Sequence, residues 1–157
     1  MRKFNFFLLF VLVGMLAFGG YCWFASQLTA SVSYVTADAG DYPEVFQSVQ
    51  SIIAQGSAPQ LFTDTAPESA DDYTLADITI TLHNAGLLPA EWLDIRLTGV
   101  AGDAAVYSLT GQGTDVLRQS TAQINLKLLT RAPADTPRTV VISYYVFGIQ
   151  RSIEVEF

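Results

Sequence analysis

The sequence predicts an all-β domain, an antiparallel sandwich of about seven strands, preceded by one transmembrane helix and one amphipathic helix. Three observations predict it. Uncharged, mostly apolar residues fill the stretch from Phe4 to Phe24, apolar residues recur at helical spacing between Asp41 and Gln55, and from about Thr74 onward the apolar period becomes two. The chain has 157 residues, room for one domain plus an anchor.

The first element is the anchor, residues 4–24. Its length of about 21 residues is enough for a hydrocarbon core of roughly 30 Å at about 1.5 Å per residue. A cleavable signal normally has a shorter apolar region, about 7 to 15 residues, followed by a small-x-small site. Here Trp23, Phe24 and Gln27 stand where such cuts would fall, and Tyr21 before Cys22 does not suit a lipoprotein signal. Arg2 and Lys3 precede the span and no further Lys or Arg appears until Arg96. Basic residues are retained inside, so residues 1–3 are expected in the cytoplasm and the C-terminal domain outside it. Tyr21 and Trp23 suit the far headgroup layer. Membrane lipid is thus the first expected partner.

Beyond the anchor, six basic and fifteen acidic residues leave a net charge of −9. Nucleic acid rewards basic surface through counterion release, so no nucleic-acid partner is expected, and adhesion to anionic headgroups is disfavoured as well. Cys22 is the only cysteine. A domain outside the cytoplasm must then be held by its core alone, although disulfides are permitted there.

Residues 25–73 read as a juxtamembrane segment. Residues 25–40 are open between a continued helix, a short strand at Val32 to Thr36 and a stalk. Asp41, Pro43 and Glu44 then give an N-cap, an early proline and a capping-box acid. Tyr42, Val45, Phe46, Val49, Ile52 and Ile53 follow on one face, and Gly56 closes the helix 41–55. This face is expected to dock on the β-domain. If it does not, Val45, Phe46, Val49, Ile52 and Ile53 become the candidate partner-binding residues. From Ser57 to Tyr73 an acidic loop carries Asp64, Glu68, Asp71 and Asp72, without the alternating acids, central Gly and terminal Glu of an EF-hand.

Residues 74–157 hold the strands. Ile78, Ile80 and Leu82 alternate with polar residues, as do Leu93, Ile95 and Leu97, Ile124, Leu126 and Leu128, and Ile153, Val155 and Phe157. Shorter candidates lie at Ala104 to Leu109 and Asp115 to Arg118, and a longer one at Thr139 to Phe147. Turn residues separate them, at Asn84-Ala85-Gly86, Ala101-Gly102-Asp103, Gly111-Gln112-Gly113, Ala132-Pro133-Ala134-Asp135 and Gly148. Such spacing without intervening helical patterns favours an immunoglobulin-like β-sandwich, with a small barrel as alternative.

The run from Ala76 to Gly86, ending Asn84-Ala85-Gly86, and the following Trp92-Leu93-Asp94-Ile95-Arg96-Leu97 resemble the opening of bacterial immunoglobulin-like modules of the CARDB (cell-adhesion-related) type. Leu117 through Ser120 to Leu128 is similar to a later strand of those modules, without their common glycine. LEA-14 and WHy domains open similarly, with Asn-Pro in place of Asn-Ala. The resemblance covers roughly residues 74 to 157. It implies a noncatalytic surface module and carries over no active site.

Little in the sequence points to catalysis. His83 is the single histidine, so a multi-histidine metal site is excluded, and it ends a strand with no nucleophile elbow anywhere. Glu154 and Glu156 point the same way on a terminal strand, as edge-protecting charges do. Gly111-Gln112-Gly113 lacks the rest of a dinucleotide fingerprint. Trp92, Tyr144 and Tyr145 are the residues for an aromatic platform, though strand aromatics more often pack. No catalytic residue, cofactor or metal is expected. The expected function is a noncatalytic, membrane-anchored extracytoplasmic module that binds a protein at the outer membrane face, in an envelope assembly or adhesion role. A ligand-binding sensor or a hydrolase built from scattered residues is the alternative.

Overall fold

A computed structural model describes residues 2–25, 27–63, 65–107 and 114–157, with α1 side chains described for 6–21. Asp64, the Gly111-Gln112-Gly113 turn and the last two residues of the strand expected over 104–109 lie outside the described residues.

Alternation decides which side of each strand meets the core. On β3 (Thr74–Asn84) Ala76, Ile78, Ile80 and Leu82 are buried, and on β6 (Ser120–Thr130) Ile124, Leu126 and Leu128. They meet Leu93, Ile95 and Leu97 of β4 (Glu91–Thr98) and Val140, Ile142, Tyr144 and Val146 of β7 (Thr139–Val146) in one apolar cluster. That burial is the main force joining the two sheets. The half-buried Ile153 and Phe157 border it, Ile153 from β8 (Ile149–Glu156).

The sheets are antiparallel, one ordered β1-β3-β6-β5-β2 and the other β4-β7-β8. In the first, β1 is Leu28–Asp38, β2 is Gln60–Leu61 and β5 is Asp103–Tyr107. The all-β sandwich expected from the sequence is therefore present, with eight strands among the described residues where about seven were expected. Two boundaries move. The sandwich begins at Leu28 rather than Thr74, because β1 pairs with β3 along its whole length, from Leu28 opposite Asn84 to Asp38 opposite Thr74. The strand expected at 115–118 is only a bridge between Val116 and Ala90.

Between β1 and β2 lies α2 (Pro43–Ala54). Its proline occupies the first turn as expected, but the cap is corrected. Asp41 is taken up in a 3-10 turn, Ala39–Asp41, so Tyr42 becomes the N-cap and makes no side-chain capping bond. The C-terminus is a Schellman motif, in which Gly56 at φ 63° lets its N–H donate to Ile53 O and that of Ser57 to Ile52 O. Phe46, Val49 and Ile53 are buried against Ala105, Tyr107 and Leu129 on the outer face of the larger sheet. A third layer thus covers one end of that face. The segment after α2 folds over the same cluster, with Gln50 Nε2 donating to Pro67 O at 2.6 Å.

Ahead of the sandwich, α1 (Arg2–Ala25) is a 24-residue helix whose described side chains are all exposed. Among the described residues no helix is long and apolar enough to cross a membrane.

Candidate binding groove and apolar end

Strand register assembles a groove that no single segment contains. Across the outer face of the larger sheet, Val35 stands opposite Asp77, Asp77 opposite Lys127 and Lys127 opposite Tyr107. One step along lie Thr79 and Asn125, where Thr79 Oγ1 donates to Asn125 Oδ1 at 3.1 Å. Tyr42 and Val45 supply the wall on the α2 side, and Ala37 and Leu75 extend the apolar surface. The groove holds about 590 Å³, within the range of sites that take small ligands or short peptide segments.

Its polar group is an ion pair, Lys127 Nζ donating to Asp77 Oδ2 at 3.0 Å. Both side chains are about half exposed, so the pair adds little stability, and its use is to present one charge of each sign on an apolar floor. Burial pushes the Tyr107 hydroxyl up to about 12, with the nearby Asp77 carboxylate adding to the rise. At neutral pH it is therefore a phenol. The polar side chains lining the groove are Asp77, Thr79, Tyr107, Asn125 and Lys127 with Tyr42 at its wall, and they offer a ligand hydrogen bonds and paired charge.

The residues singled out in the sequence are scattered. Of the five candidate partner-binding residues, Phe46, Val49 and Ile53 are core, whereas Val45 and Ile52 are half-buried and Val45 alone reaches the groove. His83 Nδ1 lies 3.1 Å from Thr121 Oγ1, about 20 Å along β3 from Asp77. Glu154 and Glu156 are exposed on β8. Asp72 faces Arg131 at 3.5 Å, whose guanidinium lies over the Tyr73 ring. The aromatic platform divides, since Tyr144 is buried at 1% exposure while Trp92 is 72% exposed. Val35, Asp77, Tyr107, Asn125 and Lys127 escaped sequence reasoning as site residues, because only strand pairing brings them into rows, and Tyr42, read from the sequence as part of the apolar helix face, joins them from the N-cap of α2.

No family model matches the chain, and no curated protein does. Two solved structures align with it over most of its length. One is the crystal structure of a FixG-related protein from Vibrio parahaemolyticus, at 11% identity, covering 82% of this chain and 94% of that one with a TM-score of 0.37. The other is an ApaA protein from Bordetella pertussis, at 16% identity, 84% and 91% coverage and a TM-score of 0.44. Likeness at this level carries no functional information.

The end of the sandwich opposite α2 has a different character. Asn84 is buried there, its Oδ1 accepting from Gly86 N in an Asx turn and its Nδ2 donating to Leu88 O and Val116 O. Around it Leu87, Trp92, Leu117, Phe147 and Ile149 are large apolar residues left exposed.

Proposed function

We propose that this chain is a noncatalytic, single-pass membrane protein whose sandwich stands on the extracytoplasmic side and binds another protein there. The observation that carries the reading is α1. It is apolar on every side, none of its described side chains packs on the sandwich, and Ala25 is three residues from the first strand. A helix apolar all round needs an apolar surrounding. The whole sequence run from Phe4 to Phe24 has the length of a span, and Arg2 and Lys3 favour an inside N-terminus.

The strand order supports an immunoglobulin-like reading of the sandwich. With β2 set aside, β1-β3-β6-β5 and β4-β7-β8 follow the A-B-E-D and C-F-G order of constant-type domains, which agrees with the resemblance to CARDB-type adhesion modules. The groove is the place on this module for a partner segment with an apolar side chain and a charged neighbour.

Protease added to intact cells should remove a C-terminal epitope, and cleavage only after lysis would reject the orientation. A photo-crosslinking residue at position 35 should capture one protein of constant mass from membranes, and loss of the adduct in Lys127→Glu would map it to the groove. The groove also favours a second reading, a sensor for a small amphipathic ligand. A small molecule that co-purifies with the chain and is displaced by Val35→Trp would support it.

A further inference from the structure

We infer that the exposed apolar end of the sandwich rests in the lipid headgroup layer, so that the domain is seated on the bilayer rather than tethered above it. The inference deepens the reading of α1 as an anchor and rests on it.

The apolar residues cluster where the chain leaves α1. Leu28, the first residue of β1, is opposite Asn84, and its N–H donates to the Tyr144 hydroxyl at 3.4 Å. At the same end Glu91 is opposite Tyr145, Val146 is opposite Ile149, and Ala90 bridges Val116. Trp92, Tyr145 and Gly148 line one shallow depression there. Only three residue steps separate Ala25 from Leu28, at most about 10 Å of chain. The headgroup region on each side of the hydrocarbon core is of similar depth, about 5 to 8 Å.

Backbone conformation marks the same residues. Trp92 sits at φ 55° in a bulge where β4 gains a residue against β7, with its N–H donating to Asp115 Oδ1 at 3.0 Å. Phe147 sits at φ 53° and Gly148 at φ 75° in the two-residue β7–β8 turn. Both positions of such a turn favour Gly, Asn or Asp, and bulky residues rarely adopt positive φ. Folding preference therefore opposes Phe147, yet its ring is 85% exposed and contributes nothing to the core. Trp and Tyr suit the membrane interface, and Phe and Leu suit the acyl chains just below it. The charges at this end have both signs, Glu91 and Asp115 against Arg118 and Arg151. Zwitterionic lipid is thus a sufficient surface, and the contact is apolar rather than electrostatic.

The test uses the full chain carrying Trp23→Phe, reconstituted in phosphatidylcholine vesicles, so that Trp92 is the sole fluorophore of its kind. Its emission should shift to shorter wavelength and be quenched by phosphatidylcholine spin-labelled at the headgroup or upper acyl chain, with little change when salt is raised. Phe147→Asn creates an Asn-Gly turn, so it should keep or raise the melting temperature while lowering the lipid quenching. Trp92 exposed to water in a chain that resists carbonate extraction would overturn the seating and leave the anchor standing. A chain stripped from the vesicles by carbonate would overturn both. Trp92 shielded from aqueous quencher but untouched by labelled lipid would assign the end to a second copy or another protein, and also overturns it.

Discussion

Arg138 Nη2 lies 3.0 Å from Asp103 Oδ1, and both side chains are buried. Around the pair, Arg138 also donates to Thr130 Oγ1 and Thr136 O, and Asp103 Oδ2 accepts from Val100 N. Asp103, Thr130 and Thr136, at the end of the sandwich remote from α1, are thereby tied to one guanidinium, and Val100 is held through Asp103. Arg138→Met should destabilise the fold by about 3 to 5 kcal/mol, because it strands a buried carboxylate. Adding Asp103→Asn should restore part of that loss, since an amide oxygen still accepts from Val100 without a buried charge. Urea unfolding of the two variants checks the order.

Phe46→Ala should cost about 3 to 5 kcal/mol, as for other buried aromatic truncations, and lower the melting temperature by roughly ten degrees or more. The ring is buried between α2 and the sheet and lies 6.3 Å from that of Tyr73. Ile52→Ala, on the half-buried flank of the same helix, should cost less. Equal effects would mean that α2 packs in a different rotation.

Tyr107 links stability to alkaline pH. Its folded value is about 12, raised by burial and then by Asp77, against 10.0 when unfolded. The folded state thus holds this proton where the unfolded state has lost it, so the contribution is complete below pH 10 and disappears as pH rises toward 12. Unfolding free energy should fall across that window, and Tyr107→Phe should flatten the slope.

Two glycines at positive φ should respond differently to alanine. At Gly102, φ 101°, a Cβ would stand 2.9 Å from the backbone nitrogen of Ala132, whereas at Gly148, φ 75°, nothing lies within 4 Å. Gly102→Ala should cost more than the about 1 to 2 kcal/mol of left-handed backbone alone, and Gly148→Ala about that amount. Thermal melts of the two variants compare them directly.

The inward faces of β3, β4 and β6 were legible because, away from the end that α2 covers, each strand is buried on one side and more exposed on the other, which writes a period of two into the sequence. In β1 that period is weak, since an edge strand is only half covered. Beyond Leu28, its inward Ala30 and Val32 are half-buried and Tyr34 is exposed. The docking of α2 was legible from its stripe, but its N-cap was not, because Asp41 belongs to a turn that only the path out of β1 explains. The groove stayed hidden for another reason. Asp77 and Lys127 are fifty residues apart, and their meeting depends on a register that local pattern does not state. At Trp92 and Phe147 the local signal is opposite to the observed backbone.

The end-to-end ladder between β1 and β3 has a mechanical consequence. Tension arriving through α1 enters the sandwich at Leu28 and runs along β1, parallel to its axis. Phe157, held to Arg138 by a pair of backbone hydrogen bonds, lies at the far end. A load between these two points shears β1 past β3, so the eleven paired positions resist together rather than opening one after another as in a zipper. At the other end of that load the β7–β8 ladder has eight paired positions, so the strand that joins the domain to its helix is held by the longer of the two ladders that a pull would shear.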